Sequence, residues 1–191
     1  IMRVERTDGY TRLVGRWDAE EHSTEIEKPS CRYLVARDGT EIAGFAILQG
    51  VGSANHCVRL RRIAVENPGR GVGSGLLRSV LQICFEDLAA NRVELFVFVD
   101  NERAYRTYLK NRFVEEGVVR HLAGGGFGVH PDAMPPRQGD GRVIAVAHGA
   151  AGVDLGVAGT ALPTPSSGLG PVGEQPLVFR LGDTVGMARA D

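Results

Sequence analysis

Between an apolar strand-like run and an amphipathic segment the chain reads Arg70-Gly71-Val72-Gly73-Ser74-Gly75. Leu60-Arg61-Arg62-Ile63-Ala64-Val65 precedes it, and Leu77, Val80, Leu81, Cys84 and Leu88 follow at the spacing of a helix with one buried face. That spacing predicts a helix from the turn to about Ala90. Three glycines at alternate positions let a backbone turn tightly and approach a ligand with no Cβ in the way. Their amides, with the helix N-terminus they open, form a concave set of donors suited to phosphate oxygens, and Arg70 adds a charged fork at the rim. A strand, glycine turn and helix in this order predict a pyrophosphate-binding turn in a fold of the α/β class.

The flanking segments extend that frame. Met2–Thr7 alternates enough for a first strand, and Asp8 is placed to cap a helix to about Glu21, with Leu13, Val14 and Trp17 on one side. His22–Ser30 is polar and contains Pro29, which predicts a loop. Cys31–Arg37 and Glu41–Gly50 flank Asp38-Gly39-Thr40, the strongest short-range signal of a β-hairpin. His56–Val65 is a third strand, and Val93–Val99 is a nearly continuous apolar run suited to a central one. Asn101 then caps a helix with Ala104, Tyr105, Tyr108 and Leu109 on one stripe, and Phe113 opens a strand to about Arg120.

Near residue 121 the character changes. Residues 121–191 hold 15 of the 26 glycines, 7 of the 9 prolines and no lysine. Two readings stay open for them: a loosely folded extension, or text that has left its reading frame. Arg142–Ala147 is a candidate closing strand and Leu177–Leu181 a weaker one. The expected division is therefore a domain over 1–120 and a Gly/Pro/Ala-rich extension over 121–191.

A net charge of -1 gives no general case for nucleic acid or an anionic membrane. No apolar run approaches the roughly 20 residues of a bilayer span, and the first residues lack the apolar core of a signal peptide. Cys31, Cys57 and Cys84 are odd in number and lack metal-ligand spacing, so the expectation is reduced thiols, no metal and a cytoplasmic setting.

Three phosphate-binding turns compete for Arg70–Gly75. A nucleoside-triphosphate loop needs Gly-Lys-Ser/Thr at the helix start, whereas Leu76 follows Gly75 and no lysine is near. A dinucleotide fingerprint needs a different third-glycine spacing and an acid closer than Asp100. The third is Arg-x-x-Gly-x-Gly/Ala. Leu60–Leu77 (LRRIAVENPGRGVGSGLL) resembles the strand, proline-containing bend, turn and helix of the GNAT superfamily of acetyl-coenzyme-A-dependent N-acetyltransferases. Asn101–Phe113 (NERAYRTYLKNRF) is similar to that family's second signature, with Asn101, Ala104, Tyr108 and Phe113 in register. The resemblance covers about residues 2–120.

It implies an α+β fold with a central mixed, mostly antiparallel sheet flanked by helices. It also implies that backbone groups of Ile63, Ala64 and Val65 bond the pantetheine arm, and that Arg70, Gly71, Val72, Gly73, Ser74 and Gly75 hold the pyrophosphate. Asn101 would contact the β-mercaptoethylamine end, and Tyr108 would sit by the thioester sulfur as general acid. The chemistry agrees: a tyrosine hydroxyl, with an ordinary pKa of about 10, keeps a proton at pH 7 to give to a leaving thiolate. A strand amide such as that of Val65 could stabilise the oxyanion.

Two departures stand out. Arg112 occupies the family's glycine slot at the end of the second helix, where a non-glycine cannot take a left-handed cap cheaply, so a looser or differently shaped end is expected. Arg61 and Arg62 stand where some members carry a carboxylate base; Glu94, Glu66 and His56 are other candidates, a water chain is preferred, and either arginine could face an acidic substrate group. The expected function is acetyl transfer from acetyl-coenzyme A, as co-substrate, to a small-molecule or peptide amine, with a homodimer allowed for. The alternative is a non-catalytic acyl-coenzyme-A-binding module or an inactive member with a disrupted C-terminus.

Overall fold

A computed structural model of the chain describes residues 1–123, 138–147 and 177–180. The order is α1 (Met2–Glu5), α2 (Ala19–Ile26), β1 (Cys31–Asp38), β2 (Glu41–Gln49), β3 (Cys57–Val65), α3 (Val72–Gln82), β4 (Arg92–Phe98), α4 (Glu102–Lys110), β5 (Val114–Ala123), β6 (Gln138–Ala147) and β7 (Leu177–Arg180). A wider, π-type turn over Ile83–Asp87 ends α3, closed by the Leu88 N–H donating to the Ile83 carbonyl at 2.9 Å, so the helix stops short of Ala90. The strands form one mixed sheet in the order β5-β6-β4-β3-β2-β1-β7. Only β3/β4 and β1/β7 are parallel; the other four pairs are antiparallel.

The hairpin of β1 and β2 forms as expected. In β2 the side chains alternate between two apolar layers: Phe45 and Ile47 join Val4, Tyr10 and Tyr33, while Ala46 and Leu48 join Leu77, Val80 and Leu81 of α3. Both faces are buried, which is why these strands read as continuous apolar runs. β6, longer than the candidate Arg142–Ala147, inserts between β4 and β5 and pairs with β4 from Arg92↔Ala147 to Phe98↔Gly141. Apart from β5's end, β6 and β7, the rest of the expected C-terminal extension lies outside the described residues. Among the described residues, no helix is long and apolar enough to cross a membrane.

The N-terminal thirty residues depart from expectation. Met2–Glu5 is a helical turn rather than a strand. It turns two consecutive residues inward, with Val4 and Glu5 both fully buried, which strand alternation would forbid. Asp8 caps nothing; residues 6–14 form turns and bends, and the helix starts at Ala19 under a capping box in which Asp18 and Glu21 exchange bonds of 2.8 Å with each other's backbone. His22–Ile26, expected as loop, is therefore helical.

Candidate active site

β3 and β4 touch only at Cys57↔Arg92, Val58↔Val93 and Arg59↔Glu94. Beyond that rung they part, and the wedge between them is a cavity of about 470 Å³. Residues 59–65 form one wall, Phe96, Val97 and Phe98 the other, and Asn101, Ala104, Thr107 and Tyr108 of α4 close one side. Gly71, Gly73 and Ser74 stand among its lining residues.

The register of β3 decides which side chains meet this wedge. Leu60 pairs with Leu48 and Arg62 with Ile47, leaving Arg61 as the extra residue of a β-bulge. The bulge shifts the alternation, so Leu60 packs with α3 in one layer while Ala64 packs with α1 in the other. Further along, the Glu66 N–H donates to the Ala43 carbonyl at 2.8 Å. Strand geometry then turns the N–H and C=O of Val65, and of Ile63 two residues back, away from β2 and toward the wedge. At Val65 these groups are met by Tyr10, whose hydroxyl donates to the carbonyl at 2.8 Å and lies 3.5 Å from the amide nitrogen.

Gly71 is the N-cap of α3 with φ +81, a conformation that costs an L side chain about 1–2 kcal/mol. No side chain caps this helix, and its first internal bond runs from Gly75 N–H to Gly71 C=O at 3.0 Å. The amides of Val72, Gly73 and Ser74 therefore precede the ladder and remain available as donors. A Cβ on Gly73 would meet only the Val65 methyl groups at 3.9 Å, an ordinary contact. Glycine inside a helix costs about 1 kcal/mol relative to alanine and the protein does not need the space, so the bare backbone fits a ligand in close approach. Arg70, Val72 and Gly75 belong to the same turn but do not line the cavity.

Asn101 caps α4 by accepting from the Ala104 N–H at 3.3 Å, and it also lines the cavity. Tyr108 faces inward at 8% exposure, with its ring 5.6 Å from Phe113. Its neighbour on the stripe, Tyr105, turns the other way, donating to Glu115 at 2.6 Å beneath Arg142. Burial pushes the Tyr108 hydroxyl well above the ordinary tyrosine range, and Tyr10 nearby adds to the shift. The group stays protonated throughout the physiological range.

Arg112 does adopt the left-handed conformation, with φ +66. The expected looser end is absent because Phe113, 2% exposed, is buried and its N–H donates to the Tyr108 carbonyl at 3.2 Å, which imposes the cap shape.

None of the candidate bases Glu94, Glu66 and His56 lines the cavity. Glu94 accepts from Arg59 at 2.7 and 3.1 Å, Glu66 pairs with Arg3, and His56 is exposed on a loop. Arg62 is buried against the fully buried Glu5, which also contacts His22 Nε2 at 3.2 Å and accepts from the Trp17 N–H at 3.3 Å. Its guanidinium stacks 4.2 Å from the Trp17 centroid. Arg62 is thus a strut holding α1 and α2 on the sheet and cannot face a substrate. Burial alone would raise the Glu5 carboxyl, but His22, Arg62 and the Trp17 amide outweigh it and hold it below its ordinary value. Arg61, which the sequence offered as able to face an acidic substrate group, lines the cavity, and so does Tyr10, which the sequence did not single out. Tyr10 sits in a segment that reads as helix and meets a partner 55 residues away, so no local signal marks it.

The model of the acetyltransferase (GNAT) family matches residues 2–113. Over 54 residues the chain is 43% identical to the L-amino acid N-acetyltransferase AaaT of Escherichia coli (strain K12), a stretch that is 28% of this chain and 33% of that protein. The chain thus spans one third of the length of that relative. Among solved structures it is similar to the spermidine N-acetyltransferase of Vibrio cholerae in complex with CoA and spermine, with 23% identity, 67% of this chain and 72% of that chain covered, and a TM-score of 0.53. A variant of the same protein, SpeG, aligns over 76% of this chain and 86% of its own with 18% identity and a TM-score of 0.58. At such identities the likeness carries the fold: a mixed sheet with helices on its faces.

Proposed function

Because the chain belongs to the GNAT acetyltransferase family, we propose that it is an N-acetyltransferase that moves an acetyl group from acetyl-coenzyme A to a primary amine by direct attack. The observation that carries this reading is the wedge between β3 and β4, with an uncapped glycine-rich helix start and a buried tyrosine both bordering it. The Val72–Ser74 amides suit a pyrophosphate, and the inward edge of Ile63–Val65 suits a pantetheine arm bound like an added strand. Asn101 completes the cradle. When bound, the coenzyme supplies the acetyl group as a thioester.

The chain's own part is positioning and proton supply. Tyr108 holds its proton at Oη for the departing sulfur, and burial keeps that proton in place. Holding amine and thioester together in the wedge lowers the barrier further. Direct attack fits because no cysteine lines the cavity, and burial pushes the thiols of Cys31 and Cys84 up to about 12, far from a reactive thiolate. No carboxylate or imidazole among the described residues lines the cavity either, and in this reading water carries the amine's proton to solvent. In this reading β6 belongs to the acetyltransferase unit, because it pairs along the whole of β4.

Replacing Tyr108 by Phe tests the reading: turnover should fall by about 100-fold or more, within the range of general acid catalysis, while coenzyme affinity stays similar. Unchanged turnover would remove Tyr108 from the chemistry. The second reading, a non-catalytic acyl-coenzyme-A-binding module, is favoured by the lack of a base among the described lining residues. It would be supported by a chain that binds acetyl-coenzyme A and acetylates nothing in a broad amine panel.

A further inference from the structure

Most arginines that are covered by protein here have a carboxylate partner. Arg59 pairs with Glu94, Arg62 with Glu5, and Arg92 with Glu116 and Glu94. Arg61 differs. It lines the cavity, it is only partly exposed, and it makes no ion pair or hydrogen bond among the described residues. Its guanidinium carbon lies 5.6 Å from the Trp17 centroid, a loose cation–π contact. Glu25, whose charge acts on it, is already taken: one oxygen accepts from Lys28 and the other from Gln49, each at 2.6 Å. Burial, then the adjacent Arg62, pull the Arg61 pKa down to about 10, so it remains charged at neutral pH at a cost to the free protein.

The bulge gives this cation its place. Arg61 is the extra residue of β3, two positions past Arg59 at the last shared rung, so it stands where the strands begin to part. The glycine turn lies at the other end of β3. Four residues of extended strand separate Arg61 from Val65, about 13 Å, which leaves the coenzyme's phosphates to the turn. Arg59 and Arg62 also line the cavity but are each paired with a carboxylate, Arg103 and Lys110 add further positive charge, and no aspartate or glutamate among the described residues lines it. A cavity so charged is a poor host for a polycation.

We infer that Arg61 is the specificity-determining residue of the acceptor site and that the acceptor is an amine bearing a carboxylate, such as an amino acid. This rests on the acetyltransferase reading above. The planar fork of Arg61 takes the carboxylate in a bidentate pair, and the ligand supplies the counter-charge that the protein withholds. The amine is thereby directed along β3 toward Ile63. Arg61 positions and selects; it takes no part in proton transfer.

The test compares L-amino acids, their carboxamides and spermidine as acceptors, for the full chain and for Arg61→Met. In the unaltered protein, the acids should exceed their amides in kcat/KM by about 10- to 150-fold, the range of a hydrogen bond to a charged group. Arg61→Met should bring acids and amides within about 3-fold of each other, chiefly through KM, with coenzyme affinity unchanged. The ligand-free variant should also melt higher, since an apolar chain of similar length replaces a covered, unpaired cation. If Arg61→Met does not melt cooperatively, Arg61→Lys serves: it keeps the charge, loses the fork and should give an intermediate preference. Equal use of amides or spermidine by the unaltered protein, or an acid preference that survives Arg61→Met, overturns the inference. If no amine is acetylated although acetyl-coenzyme A binds, it is the enzymatic reading that fails. Calorimetry with the same acids and amides then decides Arg61 separately: binding of acids alone, lost in Arg61→Met, supports it, and no difference overturns it.

Discussion

Tyr10→Phe removes one oxygen from a contact that both braces the fold and competes with the coenzyme. The Tyr10 ring is 7% exposed and packs with Phe45, Ile47 and Ala64, and phenylalanine keeps that packing. What disappears is the 2.8 Å bond to the Val65 carbonyl; the contact with the Val65 nitrogen, at 3.5 Å, is too long to count for much. A neutral hydrogen bond contributes about 0.5–1.5 kcal/mol net, and water entering from the cavity keeps the loss within that range. For a chain of this size the melting temperature should fall by about 1–6 °C. Under the proposed function, pantetheine must displace this hydroxyl to reach Val65, so its removal returns the same free energy to binding. The Kd of coenzyme A should tighten by about 2- to 12-fold. Calorimetry and thermal melts on the same sample read both changes. A lower melting temperature with an unchanged Kd would mean that the coenzyme leaves Tyr10 in place. A weaker Kd would make Tyr10 part of the coenzyme's grip, and either result refutes the competition.

Glu5→Gln leaves the Arg62 guanidinium, 5% exposed, without its counter-charge and should destabilise the protein by about 3–5 kcal/mol in denaturant unfolding. Since the folded protein holds the Glu5 carboxyl below its ordinary value of 4.5, the stabilisation is complete above that pH and is lost as pH falls through the lowered value. The variant's unfolding free energy should lack this acid-side slope; an unchanged slope would assign it to other carboxylates. Gly73→Asp puts a negative charge at the turn where space allows a side chain, so coenzyme binding should vanish in calorimetry while the melt stays near that of the parent. Arg112→Gly relieves a left-handed residue at φ +66 and should raise the melting temperature by about 2–4 °C for about 1 kcal/mol; no rise would mean that the Arg112 side chain offsets its strain.

The middle of the chain was legible because its signals are local. The Asp38-Gly39 hairpin, the apolar runs of β1 to β4, the glycine turn and the Asn101 cap each state their structure within a few residues. The first thirty residues misled for an equally physical reason. Alternation over Met2–Thr7 imitates a strand, whereas the true helix start, Asp18 with Glu21 three residues on, is a capping box that the Asp8 assignment overran.

Residue types and spacing along the sequence determined the family, the order of strands β1 to β4, and the pairing of a glycine-rich turn with Asn101 and Tyr108. These features depend on contacts between near neighbours or on a motif read along the chain. Only the tertiary structure decided the fate of the adjacent arginines. A single bulge in β3 shifts the alternation, Glu5 arrives from 57 residues away to neutralise Arg62, and among the described residues no carboxylate forms an ion pair with Arg61. Two identical side chains one position apart thereby become a buried strut and an open cation, because charge in a protein is governed by what the fold brings beside it.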